Sequence, residues 1–118
     1  ADRLAVVAGG ETVVTVRGKG TGGRNQELAL SAALAIEGAR GIYGLCAGTD
    51  GRDGNSPAAG GFFDGEFADR ARNLNLDPIS FLEKNDSHTI LKKLGYVLTT
   101  GKTGTNVMDV FIAIIEGP

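Results

Sequence analysis

The chain has 118 residues, 42% of them hydrophobic and 22% charged, with a formal net charge of −2. That length suits one domain with one core, and the charge gives no electrostatic case for binding nucleic acid or an anionic membrane. No apolar run approaches the roughly 18 residues of a membrane span. No basic segment leads into an apolar signal stretch, and the single cysteine, Cys46, can close neither an internal disulfide nor a metal site by itself; a reducing, cytoplasmic setting is the default expectation. The 19 glycines are about twice the usual share, and nine of them fall in three loops. The chain opens on Ala1 rather than Met, which leads us to expect a piece of a longer protein cut near a domain boundary, with a trimmed small protein as the alternative.

In chain order, Leu4–Ala8 reads as a short apolar strand, Gly9–Glu11 as a turn and Thr12–Arg17 as a β-branched strand, together a hairpin. The first glycine loop follows, Gly18-Lys19-Gly20-Thr21-Gly22-Gly23, and runs into a helix over 25–37. Asn25 is its expected N-cap and Glu27 suits its positive end. The helix is apolar almost all round, which predicts burial. Ile42–Ala47 reads as a buried strand that delivers the second loop, Gly48–Gly54, and Phe62-Phe63 as an edge strand. Phe67, Ala68, Ala71 and Leu74 fall on one helical face. Asp77-Pro78 opens a short helix through Glu83, and Asp86 caps another that Gly95 ends. Tyr96–Thr99 is a strand leading to the third loop, Thr99–Asn106. Val107–Ile115 is too continuously apolar for a surface strand and reads as central in the sheet. The fold class is α/β, a single domain with a mixed β-sheet of about five to six strands packed with about four helices.

The three loops carry the chemistry. Glycines let backbone N–H groups approach a ligand, and a helix start adds unpaired donors and a positive dipole end. The combination favours phosphate or carboxylate. On this basis Lys19, Gly20, Gly22, Gly23, Asn25 and Glu27 of the first loop and helix start are candidate anion-site residues. Thr49 of the second loop and Thr103, Thr105 and Asn106 of the third join them. Asp50 and Asp53, at the mouth of a buried strand, could hold Mg²⁺ directly or through water; an Asx-rich turn explains them equally well.

Two familiar patterns fail on context. Gly18, Gly20 and Gly23 spell G-x-G-x-x-G, but the strand before them pairs most simply in a hairpin, and the acid expected about 20 residues on is missing. Gly101-Lys102-Thr103 lacks the glycine a phosphate-binding P-loop needs five residues earlier, where Tyr96 stands. Asn85-Asp86-Ser87 reads as a helix cap, His88 as a surface residue and Cys46 as a small core residue. Asp109 lies inside an apolar strand, so it must either bond to the third loop or serve a function.

The runs Gly9-Gly-Glu-Thr12, Val16-Arg-Gly-Lys-Gly20, Gly22-Gly-Arg-Asn-Gln-Glu27, Ala47-Gly-Thr-Asp-Gly51, Asp53-Gly54, Ala58-Ala-Gly60, Asn85-Asp-Ser87 and Thr103-Gly-Thr-Asn-Val-Met-Asp109 resemble the MOFRL domain. That domain is the C-terminal part of class II glycerate kinases, also described as hydroxypyruvate reductases. The resemblance spans about Val6 to Ile115. It implies ATP-dependent phosphorylation of D-glycerate to 2-phosphoglycerate with Mg²⁺, in a cleft shared with a separate N-terminal α/β domain. By the same resemblance Arg24 is the catalytic arginine, with Lys19, Thr49, Asp50 and Asn106 as further carry-overs. Asp50 is the candidate base for the attacking hydroxyl. Two departures stand out: Asn55-Ser56-Pro57 replaces the family's Pro-Thr-Asp, which removes one carboxylate, and Lys102 replaces a proline. The expected function is therefore the C-terminal half of a glycerate 2-kinase, nearly inactive in isolation. The alternatives are a stand-alone phosphometabolite-binding module and an NAD(P)-dependent hydroxypyruvate reductase.

Overall fold

The order of elements follows from where β-branched runs, prolines and glycines punctuate the chain. In the computed structural model, which describes residues 2–10, 14, 16–105 and 108–117, these are β1 (Arg3–Gly10), α1 (Arg24–Ala35), β2 (Ile42–Gly48), β3 (Gly60–Asp64), α2 (Phe67–Asn73), α3 (Pro78–Glu83), α4 (Ser87–Leu94), β4 (Val97–Leu98) and β5 (Asp109–Glu116). Five strands and four helices fall within the expected numbers. The strands form one sheet in the order β1-β5-β2-β3-β4. Every ladder in it is antiparallel, so no crossover helix joins parallel neighbours as in a mixed sheet.

The N-terminal hairpin is replaced by a long-range pairing. β1 lies along β5 from Arg3 opposite Glu116 to Gly10 opposite Asp109. Of the second expected arm, Val14, Val16 and Arg17 belong to no strand, and residues 12, 13 and 15 lie outside the described residues. The apolar strand at the C-terminal end thus has neighbours on both sides, β1 and β2. β3 is not an edge strand, because the two-residue β4 pairs beyond it through Gly60 and Gly61.

The core lies on one face of the sheet. Ala29, Leu30 and Ala33 of α1 pack with Cys46, Phe63 and Ala113, and Phe63 stacks on Phe111 with ring centroids 5.4 Å apart. Small residues bring helix and sheet close: a Cβ on Gly61 would stand 3.3 Å from Ala29 Cβ. Phe67 of α2 meets Tyr96 edge-on at 5.0 Å, and Ile90 and Leu91 of α4 complete the layer. Helix α1 is therefore buried along a stripe rather than all round; Ser31 and Ala35 face solvent. The opposite sheet face carries the row Val7, Ile112, Leu45 and Phe62 in register, with Val7 68% and Phe62 37% exposed.

Asp77 caps α3 by accepting from Ile79 N–H, with Pro78 in the first turn, and α4 stops at Gly95. Both follow the expectation. The consequence for function is spatial. β2 ends at Gly48 opposite Asp109, and β1 ends at Gly10 opposite the same residue. One end of the sheet therefore gathers the second loop, the start of β5 and the N-terminus of α1.

Candidate functional site

The three loops meet at that end. Gly22 N–H donates to Asn55 Oδ1 at 2.8 Å, and Asn55 N–H returns to the Gly22 carbonyl at 3.1 Å, which joins the first loop to the second. Thr103 Oγ1 donates to the Thr49 carbonyl, and Met108 N–H donates to Thr49 Oγ1 at 3.1 Å, which joins the second to the third. Thr103 and Thr105 are exposed, and they bond to each other as well. Asn106 lies outside the described residues.

Arg24 is the first residue of α1 and stands between the first and second loops. Its Nε lies 2.6 Å from Asp109 Oδ2, and its Nη2 donates to Asp109 Oδ1 at 3.2 Å. This is a two-point contact of the kind that fixes a guanidinium plane. Arg24 lines two grooves. One of about 350 Å³ also presents Lys19, Glu27 and Asn55; the other, about 260 Å³, presents Asp50 and Arg52.

Asp53 has a different place from the one its sequence suggests. It is 2% exposed, and its carboxylate sits on the N-terminus of α1. Oδ1 accepts from Asn25 N–H at 3.0 Å and Asn25 Nδ2 at 3.2 Å; Oδ2 accepts from Gln26 N–H at 2.8 Å and Gln26 Nε2 at 3.0 Å. The helix start is therefore capped by a carboxylate from the second loop, not by Asn25, and an internal anion occupies the donors expected for a ligand. Asp53 thus serves as the cap of α1, its carboxylate taken up by four donors. Asp50 remains at the groove, with Oδ1 accepting from Arg52 N–H in an Asx turn. Among the described residues no group of three His, Cys, Asp or Glu could hold a metal.

The glycine loop is turned inward in the same way. Arg17 and Gly18 N–H both donate to Asn85 Oδ1, Gly20 N–H donates to the Lys84 carbonyl, and Thr21 N–H donates to Asp86 Oδ1 at 2.9 Å. Asn85 Nδ2 donates to Glu27 Oε2 at 3.0 Å. Asn85 and Asp86 hold the loop as well as flanking α4; sequence reasoning missed this, although the Asn85-Asp86-Ser87 run was visible. These N–H groups are used internally, and the side chains of Arg24 and Lys19 line the groove beside them.

Beneath the loops runs a buried polar chain. Asn25 Nδ2 bridges Asp53 Oδ1 and Asp109 Oδ1 at 3.2 Å each. Gln26 Nε2 also reaches Ser56 Oγ at 2.6 Å, while its Oε1 lies 2.8 Å from His88 Nδ1. Because Gln26 Nε2 faces acceptors, Oε1 is the acceptor toward His88, and Nδ1 carries the proton. His88 is buried rather than on the surface. Burial pulls its pKa below the ordinary value, aided by Lys92 and opposed by Asp86 and Asp53. Cys46 is in the core as expected, and burial pushes its thiol up to about 12.

An α/β domain with a five-stranded antiparallel sheet and glycine-bearing loops gathered at one sheet end has counterparts among known proteins. The MOFRL family matches residues 4–109, and the chain belongs to that family. It is 55% identical to a D-glycerate 2-kinase of Thermotoga maritima over 94% of this chain and 27% of the relative. It is 44% identical to a glycerate 2-kinase of Pyrococcus horikoshii over 95% and 26%, and 41% identical to a putative hydroxypyruvate reductase of Agrobacterium vitis over 93% and 29%. The crystal structure of glycerate kinase from Thermotoga maritima superposes with a TM-score of 0.93 at 54% identity, covering 95% of this chain and 27% of that one. The chain thus spans about a quarter of the length of the curated relatives it matches. No helix among the described residues is long and apolar enough to cross a membrane.

Proposed function

We propose that this domain is the C-terminal part of an ATP-dependent D-glycerate 2-kinase, working in a cleft with an N-terminal α/β domain. The observation that carries the reading is the position of Arg24, paired with Asp109 and lining both grooves formed by the first and second loops. Phosphoryl transfer asks for positioning and positive potential more than for covalent chemistry. Arg24 supplies a planar fork for a phosphoryl or carboxylate group, and Lys19 a second cation at the groove wall. Gly20, Gly22 and Gly23 shape that wall, with Glu27 beneath it, while Thr49, Thr103 and Thr105 tie the loops that frame the site. Asp50 faces the smaller groove as the candidate proton acceptor, and as the one carboxylate here offered to a nucleotide-borne Mg²⁺. ATP and glycerate approach from the side that the other domain completes.

The test is Arg24→Ala in a full-length chain carrying this domain. Turnover should fall by at least about 100-fold, the scale of losing one preorganised charge-stabilising group, while the protein stays folded. Unchanged turnover would remove Arg24 from its role. The isolated domain should be nearly inactive, because half a cleft lacks positioning worth as much as about 7–11 kcal/mol in well-oriented systems.

A reductase is the second reading, prompted by the naming of the Agrobacterium vitis relative. The sheet speaks against a dinucleotide site: β1 and β2 are separated by the antiparallel β5, so the glycine loop lies in a split βαβ unit rather than the adjacent-strand unit of a dinucleotide fold. Loss of NADH absorbance with hydroxypyruvate, at a rate comparable to kinase turnover, would restore that reading.

A further inference from the structure

Asp109 is placed with unusual firmness for a residue that touches the candidate site. It is the first residue of β5 and is paired on both sides, with Gly10 of β1 and Gly48 of β2. Neither partner has a side chain to compete for space. Its side chain is 9% exposed, and its carboxylate takes Arg24 Nε and Nη2 on its two oxygens, with Asn25 Nδ2 on Oδ1. Arg24 in turn springs from a helix start that Asp53 anchors through the next two N–H groups. The Arg24 side chain, 40% exposed, is held at both ends: by its own backbone and by a carboxylate fixed in two ladders.

We propose that Asp109 is the positioning residue of Arg24, setting the plane and direction in which the guanidinium meets the anionic substrate. This rests on Arg24 acting as proposed above. Two alternatives make different demands. A proton acceptor would need an oxygen offered to the attacking hydroxyl, but both Asp109 oxygens already accept from Arg24, and Oδ1 from Asn25 as well. A purely structural pair would affect folding and leave the reaction alone. Positioning predicts that removing the fork misaligns Arg24 while leaving its charge in the molecule. The same geometry makes Asn25 a support, since its amide bridges the carboxylate under the helix and the one under the arginine.

The experiment is a double-mutant cycle in the full-length chain, with turnover and folding measured for Arg24→Ala, Asp109→Asn and the pair. Asp109→Asn should lower kcat by about tenfold or more when Arg24 is intact, and by no more than about twofold in the Arg24→Ala background, because the effect passes through the arginine. Equal losses in both backgrounds would overturn the proposal and leave the kinase reading intact. No loss in Arg24→Ala itself would overturn both. Should Asp109→Asn fail to fold, added guanidinium decides the matter in Arg24→Ala, where Asp109 is intact. Guanidinium should restore turnover saturably, and methylammonium, which has the charge without the fork, should not. Equal rescue by both, or by neither, overturns the assignment.

Discussion

Gln26 and Asp53 meet twice, through the backbone N–H of Gln26 at 2.8 Å and its side-chain Nε2 at 3.0 Å, both on Asp53 Oδ2. The other oxygen serves Asn25 in the same double fashion. One carboxylate thus closes the start of α1 and ties it to the second loop. Asp53→Asn keeps the shape but turns an amide NH₂ toward groups that are all donors. Leaving buried donors unmatched costs about 1–3 kcal/mol each, so we expect a loss of roughly 3 kcal/mol or more by that count. The measurement is the urea midpoint of the domain. A midpoint equal to that of the unaltered chain would show that the cap is dispensable.

The loops are joined by backbone contacts too close for any side chain. A Cβ on Gly54 would lie 2.2 Å from the Gly22 carbonyl oxygen, and one on Gly51 would lie 2.0 Å from that of Gly101; both residues have positive φ, +59° and +85°. Gly38, with φ +82° and nothing within 4 Å of its would-be Cβ, shares the strain without the collision. Gly38→Ala should therefore cost only about 1 kcal/mol, the left-handed penalty alone. Gly51→Ala and Gly54→Ala should cost about 3 kcal/mol or more. They should also shift the amide resonances of the loop opposite. Equal melting temperatures for the three variants would refute a close-packed loop junction.

Cys46 tests the core in a second way. It is the only cysteine, is fully buried and has its thiol pushed up to about 12. The thiolate is the reactive form, so folded protein at neutral pH should resist a thiol reagent on the timescale in which urea-unfolded chain reacts completely. The labelling rate then reports opening of the β2–α1 layer. Prompt labelling without denaturant would mean that this layer opens readily in the native state.

Much of the scaffold could be read from local signals. Asp77 before Pro78, Gly95 after Leu94 and the apolar run ending at Ile115 each act through the chain next to them, and each element formed where expected. β1 was misassigned a partner because a turn-rich gap favours the nearest strand, whereas β5 was apolar enough to require neighbours on both sides. The residues that line the larger groove and tie the loops, Arg24, Lys19 and the loop threonines, stood out by type. The direction of the loop N–H groups did not. Their acceptors, Asn55, Asn85 and Asp86, lie 33 to 68 residues away in sequence, and only packing brings them in. Asp53 illustrates the same limit, since a cap and a metal ligand look alike until the donors around it are seen.

His88 makes the buried chain beneath the loops sensitive to acid. It is the only histidine, and burial holds its pKa below the ordinary 6.5. Gln26, Lys92, Asp86 and Asp53 surround it, and of the charged groups only Lys92 lowers the value further. Between the folded pKa and 6.5 the unfolded chain binds more protons than the folded one, so stability rises with pH across that window. The contribution of neutral His88 is complete above 6.5 and is lost as the pH falls toward the folded value; below that value the dependence on this group ends. A single imidazole resonance in the folded domain should titrate below 6.5. The urea midpoint of the unaltered chain should fall more steeply under acid than that of His88→Asn, which keeps a neutral amide near Gln26. A resonance titrating at or above 6.5, or equal slopes for the two proteins, would show that the ring is already hydrated and that the contact with Gln26 does not hold it neutral.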